Sequence, residues 1–170
     1  MEFIKSRQNP KIQRVKKLGS DRTFRRREGV FVCDGEKLLF EAVKNGAGIE
    51  TVFTWDESLD LYGFTGDVYA VDRELLEYMS PVKAPQKVLF TCSIRPVPEK
   101  RAEKTRYVLL EGVQDPGNLG TIIRTANALN YGKVLLLPGC ADRYNPCLLY
   151  TSSLSPVMCI NPSYPTTDVV

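Results

Sequence analysis

The chain has 170 residues, 43% hydrophobic and 25% charged, with a net charge of +3, which places it among globular proteins and excludes disordered and fibrous classes. No window approaches ~20 apolar residues, so no transmembrane helix is expected. The opening MEFIKSRQNPKIQ has no apolar signal-peptide core, so the expected compartment is cytoplasmic. With no histidine, Ser-His-Asp and Cys-His catalysis are excluded, and the scattered Cys33, Cys92, Cys140, Cys147 and Cys159 read as buried reduced thiols rather than a metal site.

Taken in chain order, PKIQRVKKL (10–18) spaces Ile12, Val15 and Leu18 three apart, which predicts a short amphipathic helix closed by Gly19. Ser20 and Asp21 can cap the next helix. GVFVC (29–33) reads as a buried strand. Asp34 then caps a helix with Leu38, Leu39, Ala42 and Val43 on one face, ended by Asn45-Gly46. ETVFTW (50–55), DVYAV (67–71) and KVLFTCS (87–93) read as strands, with a helix over 72–80. Trp55 reads as a packing residue at a strand end rather than a base-stacking platform. Strands alternating with helices imply an α/β layer structure.

The stretch IRPVPEKRAEKTR (94–106) holds two prolines and seven charged residues, the composition of a linker. A second α/β unit follows: a strand from Tyr107, a helix from Asn118 to about Asn130, and a strand in KVLLLPG. Residues 147–170 are rich in Ser, Thr and Pro and have Asp168 as their one charged side chain. They show no sustained period, and no element is assigned there.

Charge is unevenly spread. The first 30 residues carry ten basic side chains against three acidic ones, a local +7, so the remaining 140 sum to −4. Such a block is the footprint of a polyanion partner, because each phosphate neutralised releases counterions; the plainer reading is a solvated helical surface.

The most informative stretch is YVLLEGVQDPGNLGTIIRTANALNYGKVLLLPG (107–139). An apolar run enters a Pro116-Gly117 turn, and Asn118 is suited to cap the helix that follows. Leu119, Ile122, Ile123, Ala126 and Leu129 form its apolar face; Thr121, Arg124 and Asn127 lie on another. Helical side chains lean toward the N-terminus, so Arg124 projects back toward the exposed amides of the turn. Amides plus a guanidinium make an anion-binding corner at a strand's carboxyl end, where α/β proteins gather ligands. The plainer reading is an ion pair of Arg124 with Glu111 or Asp115. There is neither a G-x-x-x-x-G-K-[ST] nor a G-x-G-x-x-G pattern, which weakens nucleotide-binding readings.

DPGNLGTIIRTANAL followed by GKVLLLPGCADRYNP closely resembles the first motif of the SpoU/TrmH-type RNA 2′-O-ribose methyltransferases, the class whose cofactor domain carries a deep trefoil knot. Upstream, SRQNPKIQRVKKL, REGVFVCDGEKLLFEAV, IETVF and SPVKAPQKVLF resemble that family's substrate-binding domain, similar to RNA-binding ribosomal proteins. The resemblance runs from about residue 4 to 146. It implies a ribosomal-protein-like α/β/α sandwich over 1–94, a linker over 95–106, and the truncated start of a parallel-sheet methyltransferase domain over 107–146. The family's later cofactor motifs are not found, and 147–170 is expected to be a non-family tail.

The resemblance also implies roles. Arg124 is the catalytic arginine and Asn118 helps organise it. Glu111 precedes the same turn, and its place there, not the resemblance, is the ground for expecting it to position the arginine or the ribose. A guanidinium is a poor base, so its work is orienting a 2′-hydroxyl, stabilising alkoxide charge and holding phosphate. RNA contact is expected from Arg7, Lys11 and Lys83, and from some of Arg25, Arg26 and Arg27, at least one of which must point away. The implied activity is S-adenosylmethionine-dependent RNA 2′-O-ribose methylation, on ribosomal RNA in preference to transfer RNA; the alternative is an RNA-binding module without catalysis. Family members are homodimers, although much of their interface lies in the missing part. The chain as written is expected to bind S-adenosylmethionine weakly or not at all.

Overall fold

The structure is a computed structural model that describes residues 1–94, 106–131 and 133–151. The chain divides into two units, Met1–Arg95 and Pro96–Val170. The expected linker, apart from Arg106, and the tail from residue 152 onward lie outside the described residues. Among the described residues no helix is long and apolar enough to cross a membrane.

The first unit runs β1 (Glu2–Ile4), α1 (Pro10–Ser20), α2 (Arg22–Glu28), β2 (Val30–Asp34), α3 (Glu36–Lys44), β3 (Ile49–Thr54), β4 (Asp67–Val71), α4 (Arg73–Met79) and β5 (Val88–Ser93). Its sheet has the order β1-β4-β3-β5-β2. β1, β4 and β3 are mutually parallel, whereas β5 runs antiparallel to β3 and β2. The unit is therefore mixed α/β, with β1 an added edge strand.

Strand periodicity sends alternate side chains to opposite faces. Val30 and Val32 join Ile4, Phe53, Tyr69, Val71 and Leu89 in one core with Ile12, Val15 and Leu18 of α1 and Leu75, Leu76 and Met79 of α4. Phe31 and Cys33 point the other way, and α3 packs on β2 with Leu38, Leu39 and Ala42 buried. A sheet covered on both faces explains why β2 and β5 read as unbroken apolar runs. Each large side chain buried here contributes roughly 1.5–3 kcal/mol against exposure.

Helix starts follow side-chain chemistry. Asn9 accepts from the Lys11 amide, Asp21 from Phe24 and Asp72 from Leu75, each at a helix N-terminus. Two expectations are corrected. Asp34 does not cap α3: Gly35 holds the cap position and has no side chain to offer, and the first amide of the helix, Glu36 N, donates instead to Gln86 Oε1 at 3.3 Å. Asp34 is the last residue of β2, paired with Leu89 and buried. Its carboxylate instead accepts from Ser80 Oγ at 2.8 Å and Gln86 N at 2.9 Å, tying the 80–86 loop to the sheet. Nor does Gly19 close α1, which continues to Ser20. A Cβ on Gly19 would sit 3.1 Å from Pro81 Cβ, so the glycine permits a close approach.

The second unit holds β6 (Tyr107–Leu110), α5 (Pro116–Ala128), β7 (Lys133–Leu136) and α6 (Pro146–Thr151). β6 and β7 pair in parallel, Tyr107 opposite Lys133 and Leu110 opposite Leu136, with α5 as the crossover. Leu119, Ile123 and Ala126 of α5 are buried. Leu129, expected on that face, is the C-cap and 61% exposed. Tyr107 and Leu109 on β6 are 49% and 60% exposed, so this two-strand sheet presents apolar side chains on a bare face. α6 falls where no element was assigned. Asn145 Oδ1 accepts from the Cys147 amide, Pro146 opens the helix, and Leu148 and Leu149 are fully buried, α6 packing on α5.

Candidate functional site

At the carboxyl ends of β6 and β7 the chain is drawn together. The Gly112 amide donates to Pro138 O, the Ala141 amide to Val113 O, and the Cys140 thiol to Leu110 O. Gly112 and Gly139 both have positive φ, 67° and 80°. A Cβ on Gly139 would lie 3.3 Å from Gly112 Cα, so that position admits little but glycine.

From this corner α5 begins, and a third correction arises. Asp115, not Asn118, is the N-cap: its carboxylate accepts from the Asn118 amide at 2.7 Å. The physical reason is Pro116. Its fixed φ and missing N–H suit the first helical position, which puts the cap at Asp115, three residues ahead of Asn118 in D-P-G-N. Asn118 is thereby moved into the first turn, with an exposed side chain.

Arg124 is exposed and turns toward the start of α5. Its Nη2 donates to Thr121 Oγ1 at 2.9 Å, and Thr121 Oγ1 in turn donates to Gly117 O at 3.0 Å. Thr121 thus holds the guanidinium back along the helix; the i, i+3 spacing of the two residues was the signal for it. Glu111 is exposed on the loop after β6. Thr121 and Arg124 lie together on α5, with Asn118 in its first turn and Glu111 on the loop after β6; a guanidinium can grip an anion or a ribose hydroxyl but is no strong base.

In the first unit several basic side chains near the N-terminus lie on aromatic rings. Lys16 Nζ stands 3.3 Å and the Arg7 guanidinium 4.8 Å from the Tyr78 ring centre. Lys11 Nζ is 4.8 Å from that of Tyr69, and Lys17 and Arg27 are 4.7 and 4.9 Å from that of Phe24. A ring face restrains a cation without cancelling its charge. A hydrogen bond to the Tyr69 side chain raises the Lys11 pKa above the ordinary lysine value. Gln13 donates to the Tyr78 hydroxyl, and this bond, with Lys16, lowers the phenol's pKa. Tyr78, Tyr69, Phe24, Lys16 and Lys17 were absent from the sequence-based list of RNA contacts. The pairs with Tyr78 and Tyr69 join residues far apart in the chain, which no local pattern displays, whereas Phe24 meets Lys17 and Arg27 from its own neighbourhood.

The other expected RNA residues divide. Arg26, Arg27 and Lys83 are exposed, Lys83 on the loop that Asp34 anchors. Arg25 is only 4% exposed, and its Nη1 donates to Leu18 O at 2.7 Å and Gly19 O at 3.2 Å. It caps the last carbonyls of α1 and is removed from the RNA set, the member of the triplet that points inward.

Comparison with known proteins fits both units. Residues 9–89 match the MRM3-like substrate binding domain and residues 105–156 the SpoU rRNA Methylase family. The second match runs past residue 146 and takes in α6. The chain is 35% identical to the 23S rRNA (guanosine(2553)-2′-O)-methyltransferase RlmP of Bacillus subtilis over 85% of its own length and 58% of that protein's. It is 30% identical to the mitochondrial rRNA methyltransferase 3 of Xenopus tropicalis, over 88% of this chain and 40% of that one. A crystal structure of an AdoMet-bound rRNA methyltransferase from Sinorhizobium meliloti superposes with a TM-score of 0.79 at 26% identity, covering 94% of this chain and 63% of the other. The chain thus spans about 40–60% of the length of these curated relatives. The two halves are thus matched in order, residues 9–89 by the MRM3-like substrate binding domain and residues 105–156 by the SpoU rRNA Methylase family.

Proposed function

We propose that the chain supplies the RNA grip and the arginine corner of a ribosomal RNA 2′-O-ribose methyltransferase that uses S-adenosylmethionine as methyl donor. The observation that carries this reading is Arg124, exposed at the first turns of α5 and drawn back by Thr121 toward the amides that follow β6. The guanidinium grips a phosphate next to the target ribose with two parallel hydrogen bonds and sets the 2′-hydroxyl in line. As the hydroxyl takes the methyl group and passes its proton to solvent water, the same charge stabilises the developing alkoxide. Asn118 and Glu111, on either side of the turn, orient ribose and guanidinium. Ribosomal RNA is favoured over transfer RNA because the substrate-binding unit precedes the arginine corner and the relatives are named for ribosomal RNA.

The described residues do not by themselves fit the methyl donor. Burying an adenosine takes walls on more than one side, and β6 and β7 offer their paired carboxyl ends, with Gly112 and Gly139, as one wall. The second reading, an RNA-binding module without catalysis, draws on that contrast with the fully layered first unit. Mapping 2′-O-methyl groups on the ribosomal RNA of cells with and without this protein separates the two. One ribosomal position loses its methyl group under the first reading; an unchanged map leaves only the binding module.

A further inference from the structure

The first unit contains a cavity of about 350 Å³ lined by Glu36, Trp55, Arg73, Glu77, Gln86 and Lys87, together with Pro85. That volume lies near the lower end of the ~300–1,000 Å³ typical of small-ligand sites, room for one nucleoside. Trp55 is 43% exposed beside it, whereas a packing residue at a strand end would be covered.

The cations around the cavity are all taken up by carboxylates. Arg73 Nε meets Glu77 Oε1 at 2.9 Å, and Lys87 Nζ bridges Glu36 Oε2 at 3.1 Å and Asp56 Oδ2 at 2.9 Å, two cations against three carboxylates. Such walls have no positive charge to spend on a phosphate. They favour a flat, uncharged ring with hydrogen-bonding edges. The Glu36 amide donates to Gln86 Oε1, which leaves Nε2 as the donor end of that side chain. The Tyr62 hydroxyl and Lys87 hold the Glu36 carboxylate in place from two sides. An indole face, a fixed amide and restrained carboxylates are the parts that take an unstacked base by its face and its edge.

We infer that this cavity is a stacking site for one unpaired nucleobase of the RNA, with Trp55 as its platform and Gln86, Glu36 and Glu77 reading the base edge. The carboxylates accept hydrogen bonds, so bases with an exocyclic amino group are held better than uracil. The inference rests on the proposed RNA-binding role and adds a subsite separate from the basic, ring-backed surface around Tyr78.

Trp55 is the one tryptophan in the chain, so its emission reports this site alone. The test titrates the chain with a single-stranded RNA of about twelve nucleotides, reading emission and filter retention on the same samples. Saturable quenching that tracks retention is expected, with duplex RNA of the same sequence retained but not quenching. Trp55→Ala should weaken single-strand retention about 5- to 100-fold and duplex retention by less than twofold. Trp55→Phe, which keeps an aromatic face, should recover most of the loss. Unchanged emission at saturating RNA overturns the inference while leaving RNA binding intact, and so does quenching by free mononucleotides as strong as by the oligomer. No retention of any RNA removes both the subsite and the binding role beneath it.

Discussion

The two units differ in how their sheets are covered, and this difference sorts what each can do. In the first, five strands lie between helices, and Phe53, Leu39 and Leu76 are buried to within 1% of completely. In the second, two strands carry α5 and leave Tyr107 and Leu109 in the open on β6. A parallel sheet is ordinarily buried on both faces. The first unit can therefore hold its ring-backed cations rigidly, whereas the arginine corner stands on a much smaller foundation.

The largest expected effect comes from separating the units. Expressed alone, residues 1–95 should unfold in a single cooperative urea transition. Residues 106–170 alone should show weak amide protection and no sharp transition. A steep, independent transition in the second fragment would abolish the contrast. Next in size is Arg25→Ala, which leaves the Leu18 and Gly19 carbonyls without their buried donor. We expect a loss of about 1–3 kcal/mol in denaturant unfolding, with RNA retention changed less than twofold. A large fall in affinity at unchanged stability would return Arg25 to the RNA surface.

These corrections show what local pattern carries. The helices α1, α3 and α4 and the strands β3, β4 and β5 were legible because apolar spacing and turn residues agree with their final burial. β1 was not, since three residues on a sheet edge leave no periodic signal. Asp34 follows a strand and precedes a helix, as a cap would; only the 80–86 loop, brought in from far along the chain, shows the carboxylate is taken. In D-P-G-N two residues compete for one cap, and Pro116 decides for Asp115. The Asn145-Pro146 pair announced α6, but its Ser/Thr/Pro-rich surroundings hid the signal. At the site, the helix face bearing Arg124 was legible from spacing, whereas the stacking of Lys16 and Arg7 on Tyr78 depends on α4 lying against α1.

A smaller effect sharpens the RNA side of the comparison. Lys16→Ala should weaken RNA retention similarly for all sequences and reduce the slope of log affinity against log salt by about 1. An unchanged slope would mean that this ammonium meets no phosphate. The smallest effect is acid-dependent. A hydrogen bond from the Ser58 hydroxyl, then Lys87, lowers the Asp56 pKa from 3.8 to about 2. A lowered folded pKa contributes stability that is present above about pH 4 and is lost as pH falls toward 2. Asp56→Asn should therefore flatten the decline of Tm across that window. Parallel declines in the two proteins would contradict the assignment.

The central claim is that one guanidinium, held by Thr121 at the first turns of α5, acts on a ribose that the other unit helps to bind. Its most direct test replaces Arg124 with Ala in the protein expressed from its own gene, reading ribosomal 2′-O-methylation in cells and RNA retention by the purified chain. The account predicts that the methyl group is lost while retention stays within twofold of the parent. Full methylation with Arg124→Ala would contradict it.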